Sequence, residues 1–180
     1  MLYIFFADGF EEVEAVATLD VIRRAGIEIK SVGIGKRAVT GSHNIEIVCD
    51  IVDSEITPDS ELSGIILPGG MPGTTNLMNS KKVNEFIDFC CENKLLISAI
   101  CAAPMILGRK GLLKGYKAVC FPGFENELTD AEISADFVCT DGNIITAKGM
   151  GSAINFGLAV ISYFKGSDAA DALKATLQCS

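Results

Sequence analysis

The segment Leu2-Tyr3-Ile4-Phe5-Phe6-Ala7 is apolar at every position, where a half-buried strand would alternate. A membrane span needs roughly 20 such residues, and no basic stretch precedes this one as a secretory leader requires. The run therefore predicts a strand covered on both faces. Similar runs return at Gly64-Ile65-Ile66-Leu67-Pro68 and at 95–100. Helical patterns separate them. Residues 11–25 read as a helix with Val13, Val16, Ala17 and Val21 facing inward. Acidic residues fill its first turns, Arg23-Arg24 close it and Gly26 stops it. Residues 84–93, with Phe86, Ile87 and Cys90 inward, 102–108, 152–164 and 168–177 complete the helices. Residues 27–34 and 118–121 read as further strands. Two hairpins are expected, 37–40 with 45–48 around Gly41-Ser42-His43-Asn44, and 137–140 with 143–147 around Asp141-Gly142.

Strands alternating with helices predict a mostly parallel sheet with helices on both faces, an α/β flavodoxin-like three-layer sandwich. No linker, repeat or low-complexity segment interrupts the pattern, so residues 1–180 are expected to form one domain. With 49% hydrophobic and 21% charged residues, apolar burial can offset chain entropy, which excludes a disordered chain. The net charge of −8 carries no basic stripe, only the isolated pairs Arg23-Arg24, Lys36-Arg37 and Lys81-Lys82, so neither a nucleic acid nor a membrane is expected as a partner. The acidic excess falls in residues 1–90, with 7 Lys/Arg against 14 Asp/Glu, and its run from Asp50 to Glu61 reads as a solvated edge.

Seven cysteines without regular spacing argue against a disulfide framework, and the single histidine, His43, has no cysteine or second histidine at ligand spacing. No metal is expected. Most of these thiols read as small buried apolar groups in a reducing, cytoplasmic setting.

In a parallel sheet of this kind the site lies beyond the carboxyl ends of the strands. Three segments qualify: 8–14, 69–73 and the junction at Cys101. Cys101 directly follows the 95–100 strand, precedes a helix, and is flanked two residues away by Ala99 and Ala103. Small flanking residues are what a nucleophile on a sharp strand-to-helix turn requires. The helix start is expected to lower its thiol pKa and supply amide donors. A buried cysteine closing a core strand is the plainer alternative. Gly69-Gly70-Met71-Pro72-Gly73 suits an oxyanion hole shared with the Ala102 N–H; a phosphate cradle or a simple tight turn would suit it too. Glu11, Glu12 and Glu14 stand at the end of the first strand. They either favour the helix dipole or place a carboxyl beside the cysteine, where burial and a neighbouring negative charge would keep it protonated.

These segments, together with Asp20-Val21-Ile22-Arg23-Arg24-Ala25-Gly26, Leu67-Pro68-Gly69-Gly70, Ala99-Ile100-Cys101-Ala102-Ala103-Pro104 and Ile145-Thr146-Ala147-Lys148-Gly149-Met150-Gly151-Ser152, resemble in order the ThiJ/PfpI superfamily, most closely its DJ-one branch. The resemblance covers residues 1 to 177. It implies that Cys101 is the reactive, oxidisable cysteine, that Glu14 rather than Glu11 or Glu12 hydrogen-bonds it, and that Gly70 and Ala102 supply the facing backbone donors. It also implies a homodimer, a hairpin that carries His43 or Asn44 towards the partner, and no cofactor. The implied activities are metal-free glyoxalase or deglycase chemistry on small reactive carbonyls, redox-regulated chaperoning, and, in another branch, proteolysis. Phe121 stands where many relatives place a histidine, which removes the expected base of a Cys-His dyad. A flavodoxin-like cofactor binder is the third reading. The chain has no tryptophan and its tyrosines, Tyr3, Tyr116 and Tyr163, lie away from the strand-end loops, which disfavours a stacked flavin.

Overall fold

The computed structural model describes residues 1–178; Cys179 lies outside them. In chain order the elements are β1 (Leu2–Phe6), α1 (Glu12–Arg24), β2 (Ile29–Gly33), β3 (Ala38–Thr40), β4 (Glu46–Val48), β5 (Ile51–Val52), β6 (Gly64–Leu67), α2 (Gly73–Asn79), α3 (Lys81–Glu92), β7 (Leu96–Ile100), α4 (Pro104–Arg109), β8 (Lys117–Ala118), β9 (Glu132–Ile133), β10 (Val138–Asp141), β11 (Ile144–Ala147), α5 (Ala153–Lys165) and α6 (Ser167–Thr176). Seven strands form one sheet in the order β10-β11-β7-β6-β1-β2-β5. Its pairs are parallel except β10–β11, the second expected hairpin.

The uniformly apolar strands lie at the centre because both their faces are covered. Leu2, Ile4 and Phe6 of β1 pack with Ala15, Leu19 and Ile22 of α1 and with Phe156, Val160 and Ile161 of α5. Phe5, on the other face, joins Val83, Phe86 and Ile87 of α3 and Ile106 of α4. The three-layer α/β sandwich read from the sequence is the observed fold. At roughly 1.5–3 kcal/mol for each fully buried large side chain, these two cores are its main support.

Three local expectations are corrected. The buried stripe of α1 is Glu12, Glu14, Ala15, Thr18, Leu19, Val21 and Ile22, while Val13 and Val16 are 46% and 39% exposed. Residues 15, 18, 19 and 22 follow the helical repeat, and Glu12 and Glu14 tolerate burial because their oxygens find N–H partners. The expected strand 118–121 stops at Ala118, and β8 pairs with β9 outside the main sheet. Its later N–H groups go elsewhere: Val119 N–H donates to Thr146 Oγ1 at 2.9 Å and Phe121 N–H to the Cys101 carbonyl at 2.8 Å. Finally, α2 was not anticipated, α3 begins at Lys81 rather than Asn84, and α4 begins at Pro104 rather than Ala102.

The β3–β4 hairpin pairs Ala38 with Val48 and Thr40 with Glu46 and lies over the start of α1. Gly9 N–H donates to the Thr40 carbonyl and Ser42 N–H to the Phe10 carbonyl, both at 2.8 Å. Among the described residues no helix is long and apolar enough to cross a membrane.

Candidate active site at the Cys101 elbow

The chain turns sharply as it leaves β7. Cys101 has φ +65°, a left-handed conformation that costs a non-glycine residue roughly 1–2 kcal/mol. The surroundings hold it there. Cys101 N–H donates to the Ala147 carbonyl at 2.8 Å, its own carbonyl accepts from Phe121, and Ala103 N–H returns to the Ile100 carbonyl at 3.0 Å. Ala99 and Ala103 are fully buried, so larger side chains there would have no room. The turn leaves Cys101 at the carboxyl end of β7, partly buried and packed against the edge of the core.

Glu14 reaches this sulfur from the first turn of α1. Glu11 opens that helix, its Oε2 accepting the Glu14 N–H at 2.6 Å. The Glu14 side chain turns inward and is 1% exposed. Its Oε2 accepts the Gly69 N–H at 2.9 Å, the Met150 N–H also donates to the carboxyl, and the carboxyl is hydrogen-bonded to Cys101. The Gly70 and Ala102 amides face the sulfur. Glycine is required at 69 by close approach: a Cβ there would lie 2.5 Å from both Cys101 Cβ and Glu14 Oε2. At Gly70, φ is +86° and a Cβ would lie 2.3 Å from the Glu11 nitrogen.

Burial drives the electrostatics. It raises Glu14 to about 7, with the Glu11 charge adding to it and the Cys101, Gly69 and Met150 hydrogen bonds only partly opposing it. Burial, then the Glu14 charge, pushes the Cys101 thiol up to about 12 against the pull of the Gly70 and Ala102 amides. The expectation of a lowered thiol pKa is therefore corrected. The elbow helix α4 has six residues and starts three positions after Cys101, too short and too far to outweigh a buried carboxylate. The pair holds one negative charge above neutral pH, carried on Glu14, which can take the thiol proton when the sulfur attacks.

Cys101, Glu14, Gly70 and Ala102 thus meet at one point. His43 and Asn44 do not join them within this chain. His43 Nδ1 lies 2.9 Å from Glu12 Oε2, its N–H donates to Glu12 Oε1 at 2.6 Å, and Ser42 Oγ lies 3.2 Å from Glu12 Oε2. Asn44, at φ +63°, makes the hairpin turn. Glu11, Glu12 and His43 place ligand-type atoms within 4.8 Å of one another, a grouping that sequence spacing did not reveal. Both Glu12 oxygens are already occupied by the hairpin, so the cluster acts as a clasp between β3–β4 and α1. Two contributors were missed. The Met150 N–H belongs to the Ile145–Ser152 segment, whose role spacing could not tell, and the Gly69 N–H stands in a loop where Gly70 is the donor expected.

An α/β sandwich with a cysteine on a strained elbow, a buried carboxyl beside it and two amides facing it defines a class of cysteine-centred site. The chain belongs to the DJ-1/PfpI family, whose model matches residues 1–163, and within it to the DJ-1 branch. It is 33% identical over 178 residues to the Parkinson disease protein 7 homolog of Danio rerio, covering 97% of this chain and 94% of that protein. It is 37% identical over 164 residues to protein DJ-1 homolog B of Arabidopsis thaliana, covering 90% of this chain. The chain spans less than half the length of the two Arabidopsis homologs, 37% and 44%. Toxoplasma gondii DJ-1, solved in oxidized form, superposes with a TM-score of 0.95 at 30% identity, over 99% of this chain and 98% of that one. A DJ-1 superfamily protein of Salmonella typhimurium, solved as a cysteine-to-alanine mutant, gives 0.93 at 30% identity, over 99% and 98%.

Proposed function

We propose that the chain is a cysteine-dependent enzyme acting on small reactive carbonyls, a cofactor-independent glyoxalase or deglycase. The observation that carries this reading is the buried Glu14 carboxyl packed beside Cys101 at Gly69, which burial raises to about 7. It is a general base matched to neutral pH, and within this chain His43 is held by Glu12 on the hairpin instead. Cys101 Sγ attacks the aldehyde carbon of a 2-oxoaldehyde as Glu14 takes the thiol proton. The oxyanion forms against the Gly70 and Ala102 amides and is protonated to a hemithioacetal. Glu14 then moves the proton from the former aldehyde carbon to its neighbour, leaving a thioester of a 2-hydroxy acid. Water cleaves the thioester and returns the thiol. Methylglyoxal plus water gives lactate, with no external oxidant or reductant. Turnover of methylglyoxal with product analysis, wild type beside Cys101→Ser in buffer free of amines and thiols, tests the reading. Equal product from both proteins would overturn it.

A redox reading draws on the same atoms. The Gly70 and Ala102 amides and a protonated Glu14 are suitable donors to a Cys101 sulfinate, formed by peroxide without turnover. We further propose a homodimer. The exposed Val13, Val16 and Ile45 border a groove of about 450 Å³ between α1 and β3–β4, the face that a second copy would cover. Sedimentation of Val16→Glu beside wild type tests this, with a shift from dimer to monomer expected.

A further inference from the structure

Beside the Cys101–Glu14 pair lies a cleft of about 290 Å³ lined by Phe121, Phe137, Lys148, Gly149 and Met150. Its floor is continuous with the site. The Met150 N–H donates to Glu14, and a Cβ placed on Gly149 would lie 3.2 Å from the Phe121 ring and 3.7 Å from Glu14 Oε1. Phe121 is anchored through its backbone to the Cys101 carbonyl, so its ring position is tied to the elbow itself. Phe137 is braced by Lys148, whose N–H donates to the Phe137 carbonyl at 2.9 Å and whose Nζ stands 5.1 Å from the ring centroid. Phe121, Phe137 and Met150 are 48%, 68% and 55% exposed. Large apolar groups left open at the mouth of a reactive site are suited to a hydrophobic ligand group.

We propose that this cleft is a specificity subsite for an aromatic side chain, making aryl-substituted 2-oxoaldehydes better substrates than methylglyoxal. The inference rests on the carbonyl reading above. With the carbonyl carbon at Cys101 Sγ and its oxygen on the Gly70 and Ala102 amides, the substituent leaves past Glu14 onto the Gly149–Met150 floor. There it lies between Phe121 and Phe137. A cavity of roughly 150 Å³ suffices for a benzene ring, so the volume is ample. Aromatic pairing and apolar burial are worth roughly tenfold or more in discrimination.

Two alkylating ketones test the subsite without requiring turnover. Bromoacetone and 2-bromoacetophenone both form a thioether at Cys101 with release of bromide, and differ only in methyl against phenyl. The ratio of their rate constants at Cys101, located by peptide mass spectrometry, is divided by the same ratio for glutathione. A normalised phenyl preference of about tenfold is expected, falling to within about threefold in Phe121→Ala and in Phe137→Ala. A ratio equal to that of glutathione, or one unmoved by both variants, overturns the subsite. Turnover of methylglyoxal and of phenylglyoxal is measured on the same preparations. Its presence with no phenyl preference rejects the subsite and leaves the carbonyl reading standing. A phenyl preference with no turnover of either methylglyoxal or phenylglyoxal overturns the proposal together with the carbonyl reading and leaves only an aryl-binding cleft.

Discussion

Glu14→Gln should change the pH dependence of stability in a calculable way. The Glu14 carboxyl has an ordinary pKa of 4.5, and burial raises it to about 7 in the folded chain. Because the folded value lies above the unfolded one, the favourable contribution of the protonated carboxyl is fully present below about pH 4.5. It is lost as pH rises through about 7. The shift corresponds to about 3 kcal/mol of stability lost by wild type between acid and mildly alkaline pH. Glutamine does not ionise, so the variant escapes that loss. Its amide cannot reproduce every hydrogen bond, since Gly69 and Met150 both donate to the carboxyl. That penalty is independent of pH and displaces the whole comparison without tilting it. The stability gap between variant and wild type should therefore move by about 3 kcal/mol in favour of glutamine, or roughly 10 °C in Tm for a chain of this size. Urea denaturation at steps from about pH 4.5 to about pH 8, in a Cys101→Ser background that removes the thiol's own titration, isolates the effect. A gap flat across this range would refute the reasoning. Glu14 would then titrate as an ordinary carboxyl, and a general base tuned to neutrality would be lost with it.

Carbonyl turnover should rise with pH through about 7, since the working form of Glu14 is the carboxylate, and a kcat/KM profile checks this. At pH 8 Glu14→Gln should lower turnover by roughly 10²-fold or more while leaving sulfinate formation at Cys101 intact; full retention of turnover would remove Glu14 as the proton shuttle. Gly69→Ala puts a methyl group against Cys101 Cβ and Glu14 Oε2 and should destabilise by roughly 1–3 kcal/mol while abolishing turnover, checked by thermal melts beside assays. Under mild peroxide, peptide mass spectrometry should find Cys101 oxidised to sulfinic acid while Cys49, Cys90, Cys120 and Cys139, all buried, stay reduced. Cys91, which is exposed, is the thiol expected to compete.

Much of the site was legible because its chemistry follows from local rules. A continuous apolar run cannot be a half-exposed strand, so β1, β6 and β7 announced a doubly covered sheet. Small residues on either side of Cys101 announced a turn too tight for larger ones. Glu14 was separable from Glu11 and Glu12 only through family resemblance. Their side chains differ in direction by helix rotation, and the rotation departs from the apolar pattern: the inward face runs through Ala15, Thr18, Leu19 and Ile22, leaving Val13 and Val16 outside.

The order of strands and helices, the end of the sheet where chemistry could occur, and the cysteine that occupies it follow from the letters of the chain alone. These depend on periodicity and on the size of near neighbours. The charge of the site is set by packing. The thiol is held high instead of low because burial, and then a carboxylate from α1, outweigh two amides and a short, distant helix. Tertiary packing also set Phe121 and Phe137, 16 positions apart, across one cleft, and used Glu12 to clasp the hairpin that carries His43. Electrostatic energy depends on distance through space and on exclusion of water, and neither is a property of neighbouring letters in the chain.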